Sequence, residues 1–184
     1  SKGKLGSADV VKLRSRARTV DLVSAAFLPV DETWTVYADP DTGLPLYISK
    51  TSNIGIPKET IANYLPDGSS NYDILTLIYH ARETGGSGTF NFVDGEQVHT
   101  ATFLPCGTAT IATEAGPYET TISSVQSSFF TVYGITNFQI FFSNDAAHIP
   151  VEFRFRNARG PFRATLTAVT LPDPPVTPLT AVAI

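Results

Sequence analysis

The stretch from Thr120 to Asn144 runs 25 residues without a single Lys, Arg, Asp or Glu, in a chain where 16% of residues are charged. Ser, Thr, Gln and Asn interrupt it too often for it to lie in hydrocarbon, so it is not a membrane span. Its pattern predicts two β-strands about a turn at Gly134. In the second of them Phe138, Ile140 and Phe142 fall on one face and Asn137, Gln139, Phe141 and Ser143 on the other. Phe141 breaks the polar face, which implies that both sides are covered. A strand pair of this kind belongs at the centre of a β-fold, and the remaining chain is read outward from it.

Upstream and downstream, short alternating runs recur between turn residues. Thr33–Ala38, Leu44–Ser49, Asp73–Arg82, Thr89–Val93, Glu96–Leu104, Thr108–Thr113, Tyr118–Val125, Val151–Arg156 and Phe162–Leu171 read as strands, with a further one at about Val20–Leu28. Asp94-Gly95 between alternating runs signals a hairpin, and Pro105-Cys106-Gly107 reads as a turn. In Val151–Arg156, Val151, Phe153 and Phe155 are expected inward and Glu152, Arg154 and Arg156 outward. Proline at the first position and Glu59 near the N-terminus make Pro57–Leu65 the one expected helix. The fold class that follows is all-β, an antiparallel β-sandwich or jelly roll with one short helix and extended N- and C-terminal arms. At 184 residues one such domain buries a sufficient core without disulfides, and the single cysteine, Cys106, excludes an internal one. The expected organisation is a basic extended arm over 1–19, the β-domain over 20–171, and a Pro-rich extended tail over 172–184. No secretory leader is read at the N-terminus, because no apolar core of sufficient length follows the basic residues.

Charge divides the chain. Residues 1–20 carry six bases (Lys2, Lys4, Lys12, Arg14, Arg16, Arg18) against Asp9, a net +5, while the remainder carries seven bases and sixteen acids, a net −9. Lys12, Arg14, Arg16 and Arg18 alternate with Leu13, Ser15 and Ala17, so an extended backbone sets four cations on one edge, roughly 6.6–6.8 Å apart. Such an edge suits the acidic body of another copy of the same chain. Nucleic acid is a possible but less favoured partner, because no aromatic residue within 1–26 is available to stack on bases. At the other end, Leu179, Val182 and Ile184 follow a proline run and offer apolar side chains and main-chain groups to an open sheet edge.

Catalytic and cofactor motifs are weak. Gly85-Gly86-Ser87-Gly88-Thr89 fails both the nucleophile-elbow and dinucleotide patterns, and no phosphate-cradling loop occurs. His80, His99 and His148 show no ligand spacing. Asp67, Ser69, Asn71 and Asp73 alternate like the first half of a calcium loop, but Tyr72 and Ile78 stand where such a loop has glycine and glutamate, so turn chemistry is the favoured reading. Neither a metal nor a cofactor is expected. The sequence therefore points to a non-enzymatic structural subunit of a homomeric assembly. The expected setting is a virion (capsid, decoration or tail protein) or a cell-surface filament, with itself and other structural proteins of the particle as partners and no membrane contact. The alternative is a secreted adhesin or carbohydrate-binding β-sandwich module, with Trp34, Tyr37 and Tyr47 stacking on sugar rings.

Overall fold

A computed structural model describes residues 2–18, 31–65 and 69–169. Two antiparallel sheets account for most of it. The first joins β1 (Lys2–Leu5), β2 (Ala8–Arg18), β3 (Asp31–Ala38), β4 (Pro45–Ser52) and β5 (Lys58–Asn63), side by side in chain order. Helix α1 (Ile74–Glu83) follows. The second sheet joins β6 (Gly88–Asp94), β7 (Gln97–Thr113), β8 (Gly116–Gln126), β9 (Thr136–Ser143), β10 (Pro150–Asn157) and β11 (Gly160–Thr165), again in chain order, with the single-turn helix α2 (Ser128–Val132) between β8 and β9. The fold is mainly antiparallel β, as the patterning requires. Its connectivity is that of two meanders, whereas a jelly roll passes strands back and forth between sheets. The expected strand at 20–28 lies outside the described residues.

Within the basic segment, the described residues 2–18 are paired into the first sheet rather than standing apart from it. Ala8–Arg18 is an interior strand of the first sheet, with β1 on one side and β3 on the other, in register from Val11↔Ala38 to Arg18↔Asp31.

Two segments exchange secondary structure relative to the sequence reading. Pro57–Leu65 is strand rather than helix, pairing with β4 from Tyr47↔Asn63 to Ser52↔Lys58. Its Thr60, Ala62 and Tyr64 form a period-two row that favours an extended backbone with a β-branched residue at its head. Asp73–Arg82 is helix rather than strand. Asp73 Oδ1 accepts from the Thr76 amide at 2.6 Å while Thr76 Oγ1 accepts from the Asp73 amide at 2.9 Å, a capping box with threonine in the place usually held by Glu or Gln. Leu77 and Ala81, four apart, are the fully buried apolar side chains of its inner face, with Thr76 of the capping box buried beside them.

The uncharged stretch holds the centre of the second sheet and has both faces covered. Ile140 and Phe142 join Leu77, Phe92, Phe103 and Phe130 in the larger core, which Phe138 and Phe153 flank; Phe141 joins Ile111 and Val151 on the opposite face. Where the sequence suggested a plain turn, Ser127 caps α2, Phe130 is driven into the core, and Gly134 at φ +64° ends the helix. Pro105-Cys106-Gly107 is no turn either. It is a bulge inside the single long strand β7, with Cys106 exposed. A second bulge, between Pro150 and Glu152, rotates Val151 toward Phe141 and carries Glu152 inward with it. Glu152, expected at the surface, is wholly buried and accepts hydrogen bonds from Arg154, Arg163 and Thr165.

Candidate ligand-binding cleft

One face of the first sheet is turned toward the second across a cleft of about 420 Å³. The cross-strand register builds its first wall in rows. Trp34 on β3 stands opposite Lys50 on β4, which stands opposite Thr60 on β5; in the next row Val36, Ile48 and Ala62 align, and Tyr64 lies beyond. The second wall comes from Asp73 and Ile74 at the start of α1, from Phe92 to Gly95 at the end of β6, and from Phe129 of α2. Apolar groups fill the middle and polar ones the ends.

Lys50, Asp73 and Asp94 are engaged within the chain. Lys50 Nζ lies 3.2 Å from Glu32 Oε2 and 4.7 Å from the centre of the Trp34 ring, so the cation rests on the indole while a carboxylate balances it. Burial pushes the Asp73 carboxyl up from its ordinary value, and the hydrogen bonds from Thr76 pull it back only in part. Tyr64 is pushed up as well, first by its own burial and then by the charge of Asp73. At the rim the Tyr133 hydroxyl donates to Asp94 Oδ2 at 3.3 Å, tying the end of α2 to the β6–β7 turn; the Asp94 charge holds the phenol above its usual range. A hollow of about 390 Å³ elsewhere, beside Glu114, Arg163 and Leu166, has no aromatic lining, and its Arg163 is committed to Glu152.

The residues singled out from sequence are distributed differently. Lys12, Arg14 and Arg16 are exposed and do share one face of β2, but their register partners Tyr37, Thr35 and Thr33 place them on the side of the sheet away from the cleft. Lys12 Nζ sits 5.4 Å over the Tyr37 ring, and Arg16 grips Asp31 through two hydrogen bonds of 3.0 Å. Arg18 continues the strand, its backbone opposite Asp31. Trp34 does not stand with the two tyrosines: it faces the cleft, while Tyr37 and Tyr47 form an edge-on pair, centroids 6.0 Å apart, on the other face. Leu179, Val182 and Ile184 lie outside the described residues, as does Asp67. Ser69 is used in a local turn with Asn71, and Asp73 caps α1. His80 stacks on Tyr72 with its Nδ1 3.3 Å from Glu83, His99 packs on Phe92 and Phe129, and His148 closes a turn at φ +42°. Among the described residues no three His, Cys, Asp or Glu side chains group to hold a metal ion, and no helix is long and apolar enough to cross a membrane.

Residues 2–167 match the model of a family described as protein of unknown function (DUF3108). The chain belongs to the DUF3108 family. The matched span takes in every strand of both sheets, so both walls of the cleft fall within the DUF3108 unit. No curated protein and no solved structure matches the chain. The cleft escaped the sequence reading because a helical β5 has no row of Thr60, Ala62 and Tyr64 to set beside Ile48 and Lys50. The period-two alternation of those three residues was the available signal.

Proposed function

We propose that this chain is a non-catalytic binding module that holds a small, largely apolar ligand in the cleft, with the two sheets as the walls of an open sandwich. The observation that carries this reading is the lining itself. Trp34, Ile48, Ile74, Phe92 and Phe129 converge on about 420 Å³, within the usual range for small-molecule sites, with a few polar groups at the ends to orient a ligand. Lys50 is balanced by Glu32 and Asp73 is buried, so the reading favours a neutral or weakly polar occupant with a flat or chain-like body over a highly charged one. A saccharide is less suited, since Tyr37 and Tyr47 stand on the far face from Trp34.

Trp34 is the only tryptophan in the chain, which makes its emission a direct reporter of the cleft. Titration with an environment-sensitive apolar dye, and separately with medium-chain fatty acids and a disaccharide, tests the reading. Saturable change of Trp34 emission with the apolar probes and none with the sugar is expected. Ala62→Phe, which fills the cleft from a half-buried position, should weaken that response by roughly ten-fold or more, about 1.4 kcal/mol or beyond. An unchanged Trp34 spectrum with every apolar probe overturns the proposal.

The structural-subunit reading remains as a second proposal with altered support. Its cationic strand is paired within its own sheet, with Arg16 bonded to Asp31; what favours it now is the open edge of the first sheet.

A further inference from the structure

A strand at a sheet edge presents unpaired N–H and C=O groups, and chains ordinarily guard such edges with short length, lysine, proline or a covering segment. Among the described residues the two sheets have four edges, and three of them are guarded. β1 has four residues, two of them lysine; β11 carries Pro161 and Arg163; part of β6 is covered by Tyr72, which exchanges backbone hydrogen bonds with Asn91 and Val93. β5 is different. Ile61 on the strand is 53% exposed, and Ile54 and Ile56 in the preceding loop and Leu65 after the strand are exposed at 43%, 91% and 37%, half of all the exposed large hydrophobics among the described residues.

The backbone fixes which groups are on offer. The Tyr64 amide donates to Leu46 O, so even-numbered residues of β5 turn their hydrogen-bonding groups toward β4, and Glu59, Ile61 and Asn63 turn theirs to the open edge. We infer that this edge takes a second copy of the same chain, β5 pairing antiparallel with β5 about a two-fold axis at Ile61. That register continues the sheet with matching faces, because the positions set opposite one another have the same parity. It places Ile61 against Ile61 and Glu59 against Asn63, all with outward groups, and sets no like charges opposite each other. On the cleft side it brings Lys58 of the second copy opposite Tyr64, one of the residues that line the cleft.

The test is solution size and a register-specific cross-link. In an antiparallel hydrogen-bonded pair the Cα atoms are about 5.5 Å apart, within disulfide reach. With Cys106→Ser to remove the exposed thiol, Ile61→Cys should oxidise to a covalent dimer. Glu59→Cys, whose two copies would lie about four residues apart along the strand, roughly 13 Å, should not. Ile61→Lys, at a half-exposed position, should give a monomer by light scattering that still melts cooperatively, at a midpoint that no longer depends on protein concentration. A wild-type chain that is monomeric at every concentration overturns the inference, as does a dimer that survives Ile61→Lys or cross-links through Glu59→Cys instead. The outcome is independent of the ligand reading: a monomer whose Trp34 emission still responds to apolar probes rejects the edge pairing alone.

Discussion

Asp73 combines two effects of opposite sign at one side chain. Its carboxylate accepts the hydrogen bonds that start α1, yet it is 7% exposed, and desolvation outweighs those bonds and raises its pKa. With the folded value above the unfolded one, the folded chain holds the proton more tightly. The associated stability is fully present below the unfolded pKa, about 3.9, and is lost as pH rises through the folded value. Asp73→Asn keeps an acceptor for Thr76 and removes the charge, so it should gain on the wild type as pH rises from acid to neutral; denaturant unfolding at several pH values checks this. Asp73→Ala, which loses the cap, should cost about 0.5–2 kcal/mol. Glu152 presents the reverse asymmetry. Its carboxylate is fully buried, while Arg154 and Arg163 have side chains 43% and 56% exposed and can return to water. Removing both arginines should therefore destabilise more than Glu152→Gln, since only the former strands a buried charge. Neither role was legible in the sequence. Asp73 read as a possible cation ligand and Glu152 as a surface charge, because a residue list shows which oxygens exist and not which donors meet them. Phe142 was legible: alternation placed it in the core, and Phe142→Ala should cost about 3–5 kcal/mol by chemical denaturation.

At the scale of elements, alternation found most strands, even Glu96–Leu104 and Thr108–Thr113 on either side of a misread turn, and failed where a short segment carried two periodicities. Asp73–Arg82 has Leu75, Leu77, Tyr79 and Ala81 at period two, and Leu77 and Ala81 at period four as well. The capping box settles the choice, and it was missed because threonine holds the position where glutamate is usually sought. Pro57 and Glu59 then drew the helix to the wrong segment, where β4 supplies a pairing partner that local propensity does not reveal. The end of α1 is held by close approach. Gly86 at φ +77° leaves only 2.7 Å between an added Cβ and the Phe142 ring, and Ser123 Oγ donates to its carbonyl at 2.6 Å. Gly86→Ala should thus destabilise by about 1–3 kcal/mol from overpacking alone. Calorimetry of this variant beside Gly134→Ala, whose added Cβ meets nothing within 4 Å, separates crowding from the positive φ that the two glycines share.

For the whole molecule, the β-rich class and the existence of most strands were readable from periodicity and turn residues. The division into two sheets was not, since hydrophobic alternation fixes a face and leaves the neighbour open. Helix α1 packs against β2 and β3 of the first sheet and β6 of the second, and so couples them. Thermal unfolding followed by Trp34 emission, which reports the first sheet, and by far-UV circular dichroism should coincide in one transition; separated midpoints would show the sheets to be independent. The side-by-side chain order of both meanders bears on how the protein is made. A strand emerging from the ribosome finds its partner already synthesised, so hairpins can be added one at a time without waiting for a distant segment. The first sheet can close before β6 exists, and the nascent chain need expose only its newest edge to the crowded surroundings.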